Sequence, residues 1–420
     1  MIASFFFMIF FGIPIAFAMG ASALMYIMVE GIPLAMVSQR FFSNTQSFAF
    51  LAIPFFILAG TFMVHGNIAQ RIIKLADSLV RQLPGGLGCV SVVTSMGMAG
   101  VSGSSVADAA STGSVLIPEM KRKGYSSSFS AAINASSSVV GIIIPPSSTM
   151  IIIAWLANLS VAEMFLAGVI PGILIGLSYL ALTIFISIKR GYPRESKPTI
   201  NEILRNIKNA IWALVLPIFL IYVIVFGIAT ATEGAALAAI YAFVIGVFVY
   251  KTLTLEKIIR SIKETVYGTT VVMLMVCTSM VFTWVLISEG IPKMISDVLL
   301  GLGLSDWMLL LLIVFILLVA GMVMELVPNL FLFIPIFFPI TTNLGMDPMH
   351  FAIVMLCTLA LGLFTPPVGS SLFISCHLAK IDMEKTVKDI LPYFLVGAVV
   401  VVLLTFIPAL TIWFPSLFVD

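Results

Sequence analysis

The chain has 420 residues, 61% of them hydrophobic and only 10% charged. Soluble domains are about a quarter charged, so this composition, with a mean hydropathy of +1.18, excludes a water-soluble domain with an appended anchor. A net charge of +2 leaves no electrostatic footprint for nucleic acid.

Apolar runs recur along the whole chain, several of them as long as the ~20 residues that cross a bilayer as a helix. The first has no basic segment ahead of it and reads as a retained transmembrane helix over 4–29, not a cleaved signal peptide. A second helix over 47–64 returns to an amphipathic stretch, 68–83. Residues 87–118 must turn back to the side they came from, because Lys121, Arg122 and Lys123 follow; they read as a re-entrant hairpin. Segment 127–160 crosses with an interruption at Pro145 and Pro146, and helix 162–188 leads into a polar link. The second half is expected to run 210–229, 232–250 and 265–288, then an amphipathic stretch at 291–304. A hairpin at 306–343, a broken segment at 350–379 and a helix at 390–416 complete it. Placing the N-terminus in the cytoplasm puts 19 of the 21 Lys and Arg on the cytoplasmic side, all but Arg40 and Lys293. That split follows the positive-inside rule and leaves the C-terminus periplasmic.

The two halves repeat. GIIIPP, from Gly141 to Pro146, resembles GLFTPP, from Gly362 to Pro367, at an offset of 366 − 145 = 221. The same offset pairs Gly100 with Gly321, Pro118 with Pro339, Gly124 with Gly345, Glu163 with Glu384 and Pro171 with Pro392. Nearer the N-terminus the match is looser, with Gly12 falling near Gly234. The offset relates segments that cross in opposite directions. The expected fold is therefore an all-α polytopic membrane protein of two inverted-topology repeats with re-entrant helical hairpins and broken helices, the architecture of many secondary transporters. The expected parts are a first repeat at 1–188, a cytoplasmic link at 189–209 and a second repeat at 210–420.

Chemistry concentrates at the interruptions. Ser102, Gly103, Ser104 and Ser105 have a turn composition inside an apolar hairpin, and irregular backbone at that depth is tolerated where it is buried in protein or lines a cavity. Asp108 lies in the same segment; it is either a functional carboxylate or a group that orients the hairpin. Two prolines in a row remove amide donors and free upstream carbonyls. Those carbonyls, with Ser136, Ser137 and Ser147, make an oxygen-rich shell suited to a hard cation, while half-helix N-termini suit an anionic substrate. At the matched positions the second half has Glu325 for Ser104 and Asn329 for Asp108, followed by Thr365, Pro366, Gly369 and Ser370. Glu233 follows Thr230 at a helix start, where a cap explains it. Cys89, Cys277, Cys357 and Cys376 read as small core residues, and His65, His350 and His377 have no metal-ligand spacing. No Walker loop or hydrolytic triad appears, so neither an ATP-driven pump nor an enzyme is expected. An intramembrane aspartyl protease would need a second aspartate where the repeat places Asn329.

GIPIAF near the start, LAIPFFILAG at 51–60, VRQLPGGLG at 80–88, SGSSVADAASTGSVLIPEM at 102–120, GIIIPPS at 141–147 and GLFTPPVGSSLF at 362–373 resemble the large, DctM-like membrane subunit of tripartite ATP-independent periplasmic (TRAP) transporters. The resemblance covers nearly the whole chain. It implies a bacterial inner-membrane, multi-pass importer of carboxylates such as C4-dicarboxylates, sugar acids or sialic acids, driven by Na+ as coupling ion, without another metal or a cofactor, through an elevator mechanism. Its implied partners are a small four-helix membrane subunit, here a separate chain, and a periplasmic substrate-binding protein. Carried over, one sodium site would use Ser102, Gly103, Ser104, Gly141 and Pro145, and the other Glu325, Asn329, Thr365, Pro366 and Gly369. Substrate would lie near Asp108, Ser136, Ser137, Ser147 and Ser370. Where the family more often has Gly-Leu-Asn, this chain has Gly369, Ser370 and Ser371. A stand-alone carrier working without a binding protein is the alternative reading of the same repeats.

Overall fold

A computed structural model describes residues 1–45 and 48–418, and all side chains among them except those at 43–45, 48–49 and 101–102. Every regular element among the described residues is helical. In the first half these are α1 (Ile2–Phe10), α2 (Ile15–Val29), α3 (Ala35–Thr45), α4 (Ala52–His65), α5 (Ile68–Val80), α6 (Gly86–Ser102), α7 (Ser105–Arg122), α8 (Ser127–Ser138), α9 (Val140–Ile143), α10 (Ser148–Leu156) and α11 (Val161–Arg190). The second half has α12 (Ile200–Val225), α13 (Ala231–Val244), α14 (Leu255–Ser288), α15 (Ile291–Gly301), α16 (Asp306–Val323), α17 (Leu326–Asn343), α18 (Pro348–Gly362), α19 (Ser370–Ala379), α20 (Val387–Phe406) and α21 (Ala409–Ile412). Among the described residues, seven helices are long and apolar enough to span a membrane, or up to nine if each of two bent pairs counts as one span.

The second arms of the hairpins match residue for residue. α7 covers 105–122 and α17 covers 326–343, so both ends of the pair keep the 221-residue offset. The flanking arms match as well: α4 bends by 66° into α5, as α14 gives way to α15 after Gly290. The two repeats are interleaved, because α2 packs on α14 while α13 packs on α4. The broken helices form the centre. Every residue of α18 from Met349 to Gly362 is buried, as is α8 from Phe129 to Ser138. A largely apolar helix such as α18, enclosed by others, needs no polar face, whereas the buried polar side chains of α8 are hydrogen-bonded.

Three expected boundaries move. The helix expected over 4–29 is two helices. Gly12 adopts φ +77°, its N–H donates to Ile9 O, and Ile13 N–H donates to Met8 O, which is a Schellman stop. Gly227 ends α12 in the same way, through Val223 O and Ile224 O. Gly12 thus pairs with Gly227, not with Gly234. The link expected over 189–209 is only 191–199, because Thr199 caps α12 by accepting from Glu202 N–H at 3.3 Å. The final helix ends at Phe406, ahead of Pro408, which carries no amide donor. Thr230 and Glu233 form the expected cap as a full capping box, Glu233 Oε2 accepting from Thr230 N–H at 2.8 Å. The four cysteines are buried and free.

Several basic residues tie neighbouring helices and the link together. Arg81 grips Glu202 through two bonds of 2.7 Å, joining α5 to α12. Lys123 reaches Glu195 in the link at 3.3 Å, and Arg190 pairs with Asp389 across α11 and α20. Lys121 Nζ donates to Ala379 O, the last residue of α19, at 2.8 Å.

Candidate ion and substrate site

Each hairpin tip sits on a helix break. In the first half α6 ends at Ser102, Gly103 turns the chain with φ +55°, and extended Ser104 starts α7 by accepting from Ala107 N–H at 3.4 Å. The side chain of Ser102 lies outside the described residues. A Cβ on Gly103 would stand 3.6 Å from Pro146 O and Ser148 N, so the tip rests on the chain between α9 and α10. Gly141 faces Asp108, whose Oδ2 would lie 3.7 Å from a Cβ placed there. Asp108 is fully buried, and neither carboxylate oxygen accepts a hydrogen bond. Neighbouring Ser95 directs its hydroxyl to Ser137 Oγ, at 3.3 Å. Ser147 Oγ is also buried without a partner. Three oxygen acceptors are thus withheld from water at one junction, an arrangement that is costly unless something binds them.

The second junction is built alike and charged differently. Met324 is extended and Glu325 begins α17 with its side chain exposed and making no cap bond. Asn329 is buried; its Nδ2 donates to Met324 O at 3.0 Å and Ala320 O at 3.3 Å, while Oδ1 has no partner. The break after α18 is stitched to this tip by Val368 N–H donating to Met322 O at 3.2 Å. Gly321 and Gly362 touch backbone to backbone: a Cβ on Gly362 would fall 2.1 Å from Gly321 C. Thr365 Oγ1 donates to Leu361 O at 2.5 Å, and Gly369 has φ +42° beside Thr365 O. Pro145–Pro146 and Pro366–Pro367 are both cis.

The residues between the junctions only partly follow the sequence reading. Ser136 and Ser137 are fully buried in α8. Ser136 Oγ donates to Ala132 O at 2.8 Å, and Ser137 Oγ to Asn134 O at 3.2 Å, inside the packed helix. The residue that joins the halves is Asn134. Its Nδ2 donates to Ala109 O at 2.9 Å and Ser375 Oγ at 2.8 Å, and its Oδ1 accepts from Thr112 at 3.0 Å. An asparagine in the middle of an apolar run was the available signal, but Met355 occupies the matched position, so the repeat gave it no echo. Asn134 fixes the relation of α7 to α19. Ala109 and Thr112 lie level with Ser375, Gly113 lies against Leu378, and Lys121 reaches Ala379. The two helices therefore run parallel, with their N-termini, Ser105 and Ser370, at the same end. Ser370 is partly exposed there, and Ser371 Oγ is buried without a partner.

The first tip also borders a small cavity. Gly103, Ser104, Pro146 and Ser148 line one side, and Phe56 of α4, Leu216 of α12 and Ala238 of α13 the other. Hairpins and broken helices thus form one group, and α4, α12 and α13 another that packs against it.

These features define a polytopic membrane permease with inverted repeats and discontinuous helices. The profile described as "Tripartite ATP-independent periplasmic transporter, DctM component" matches residues 2–410, and the chain belongs to this family. It is 36% identical over 405 residues to the isethionate TRAP transporter permease protein DctMQ of Oleidesulfovibrio alaskensis, covering 96% of this chain and 64% of that protein. It is 34% identical over 422 residues to the C4-dicarboxylate TRAP transporter large permease protein DctM of Rhodobacter capsulatus, covering 97% and 96%. It is 34% identical over 412 residues to the sialic acid TRAP transporter large permease protein SiaM of Vibrio cholerae, covering 98% and 96%. The Alcanivorax borkumensis YdaH transporter, whose crystal structure is described as having an unusual topology, shares the fold with a TM-score of 0.66 at 15% identity, over 90% of this chain and 89% of that one. The chain is accordingly a multi-pass inner-membrane transport protein.

Proposed function

We propose that this permease imports an organic acid with sodium, that the two hairpin–break junctions hold the coupling ions, and that the acid binds between them. The observation that carries this reading is the set of buried oxygens without donors: Asp108 Oδ1 and Oδ2 with Ser147 Oγ at one junction, Asn329 Oδ1 with Ser371 Oγ near the other. Oxygen-only donor sets suit hard cations. The fit is better at the first junction, where the acceptors include a full carboxylate. There Gly103, Ser104, Gly141 and Pro145 would supply backbone or hydroxyl oxygens; at the second, Glu325, Asn329, Thr365, Pro366 and Gly369 would do so. The parallel N-termini of α7 and α19 would turn the positive ends of two helix dipoles towards one carboxylate. Asp108, Ser147 and Ser370 border that space, whereas Ser136 and Ser137 support it from behind.

Elevator motion would carry the hairpins and broken helices past α4, α12 and α13, with the basic flanks in the cytoplasm. The cavity between the first tip and these helices supplies the seam along which such sliding would start. A small membrane subunit and a periplasmic binding protein would complete the transporter; the acid would resemble those named for the relatives, isethionate, a C4-dicarboxylate or a sialic acid, or would be a sugar acid.

The test is uptake into proteoliposomes under an inward sodium gradient, with a panel of organic acids, with and without a small subunit and binding protein. Uptake requiring sodium and binding protein is expected. Sodium-driven uptake without the binding protein would favour a stand-alone carrier, and uptake indifferent to sodium would remove the coupling assignment.

A further inference from the structure

Away from the hairpins, a cavity of about 170 Å³ opens between the start of α5, the first turns of α12 and the loop before α14. Two cations line it, Arg71 and Lys74, with the amides of Asn67, Gln70, Asn206 and Asn209. No carboxylate does, and among the described residues neither cation forms a salt bridge. Nearby acids are committed elsewhere: Glu202 and Asp77 to Arg81, and Glu264 to His65 and Arg260. The Arg71 guanidinium stacks 3.7 Å above the Tyr250 ring, which fixes its plane. Its Nε is buried without an acceptor. The walls are rigid. Tyr250 OH donates to Asn209 O at 2.8 Å, Thr252 Oγ1 to Gly66 O at 2.6 Å, and Asn206 Nδ2 to Lys74 O at 3.2 Å.

We infer that this cavity binds a phosphate group, presented by an anionic phospholipid of the cytoplasmic leaflet. Its size decides between classes of ligand. Pockets that enclose drug-sized molecules hold roughly 300–1,000 Å³, too large a scale for this cavity, whereas a headgroup phosphate fits. A planar guanidinium and an ammonium, with amide donors around them, match a phosphate's oxygens. Two features favour a lipid over a soluble anion. Arg71 and Lys74 lie on α5, which Arg81 follows directly, in a stretch that the positive-inside rule puts at the cytoplasmic face, where basic pockets between helices take anionic headgroups. The chain leaving it is apolar and uncovered, with Phe248 65% and Ile211 41% exposed, so acyl chains have a surface to follow. Because α5 belongs to the first half and α12 to the second, the bound headgroup would tie the two halves of the outer frame together. This site is independent of the sodium and substrate reading.

The experiment uses the delipidated chain in detergent, titrated with phosphatidylglycerol, phosphatidylcholine or inorganic phosphate, reading the thermal unfolding midpoint. The midpoint is expected to rise with phosphatidylglycerol and not with the other two. Arg71→Gln and Lys74→Gln should each raise the phosphatidylglycerol concentration needed by about fivefold, the contribution of one basic residue near such a surface. Lys74 is exposed, so its variant should keep the lipid-free midpoint and separate binding from folding. An equal rise with phosphatidylcholine or with phosphate alone would overturn the lipid assignment. So would an undiminished response in Lys74→Gln and in the double variant.

Discussion

At the first hairpin tip stands Ser104, with Asp108 buried one turn further in; at the matched places of the second stand Glu325, exposed, and Asn329, buried. The acid has moved by one helical turn between the halves, and the hydrogen bonding changes with it. Asn329 has an N–H₂ group and spends it on Ala320 O and Met324 O, closing its own hairpin. An ionised aspartate accepts and cannot donate, so Asp108 leaves the equivalent carbonyls alone and keeps both oxygens open. One hairpin is closed by its own side chain, and the other keeps two buried carboxylate oxygens without a partner. Repeated backbone therefore does not mean repeated chemistry.

The sharpest way to break this comparison is to make the first hairpin resemble the second. Asp108→Asn retains the shape, gives up the charge and can close on local carbonyls as Asn329 does. Hydrogen bonds to charged groups are worth about 1.5–3 kcal/mol, roughly ten- to hundredfold in affinity. Sodium-driven uptake in proteoliposomes should fall by about that factor or more. The midpoint in sodium-free buffer should hold or rise, and the rise that sodium gives the parent should vanish. Unimpaired uptake would show that the two buried positions are equivalent and that the coupling ion is held elsewhere.

A second test uses the glycines at the two breaks. Gly362 meets the backbone of Gly321, where an added Cβ would lie 2.1 Å from a carbonyl carbon that cannot swing aside. Gly141, at the matched position, has its nearest neighbour at 3.7 Å, an ordinary contact. Gly362→Ala should cost about 1–3 kcal/mol through overpacking and lower the unfolding midpoint. Gly141→Ala should be neutral or gain up to about 1 kcal/mol in helix propensity. If both variants were equally stable, the closer packing of the second junction would be refuted.

The sequence made the frame legible because membrane burial leaves strong marks. Double prolines marked both breaks, the Gly- and Ser-rich tip and basic flank marked the first hairpin, and the repeat carried it to the second; α7 and α17 fall at the offset that the GIIIPP and GLFTPP motifs set. The misreadings have physical reasons. Apolar composition alone cannot distinguish one helix over 4–29 from two, since the Gly12 stop is a matter of φ. Composition also does not say that the hydroxyls of Ser136 and Ser137 bond back to the preceding turn of their own helix. Asn134 escaped notice because its partners, Ala109, Thr112 and Ser375, are distant in sequence and its counterpart is Met355.

The smallest expected effect comes from the reverse exchange, Asn329→Asp. The carboxylate would lose the donor that serves Ala320 O and Met324 O and would place acceptors against acceptors. Leaving buried partners unsatisfied costs about 1–3 kcal/mol, so the midpoint should fall in sodium-free buffer. The loss should shrink as sodium is added, because the new charge gives the second junction the same unmet demand that Asp108 creates in the first. The check is a sodium titration of the midpoint for Asn329→Asp beside the parent chain, with choline replacing sodium as control. A midpoint that falls equally in sodium and choline would mean that the second junction cannot hold a cation even when given a carboxylate. The two halves would then differ in more than the position of one charge.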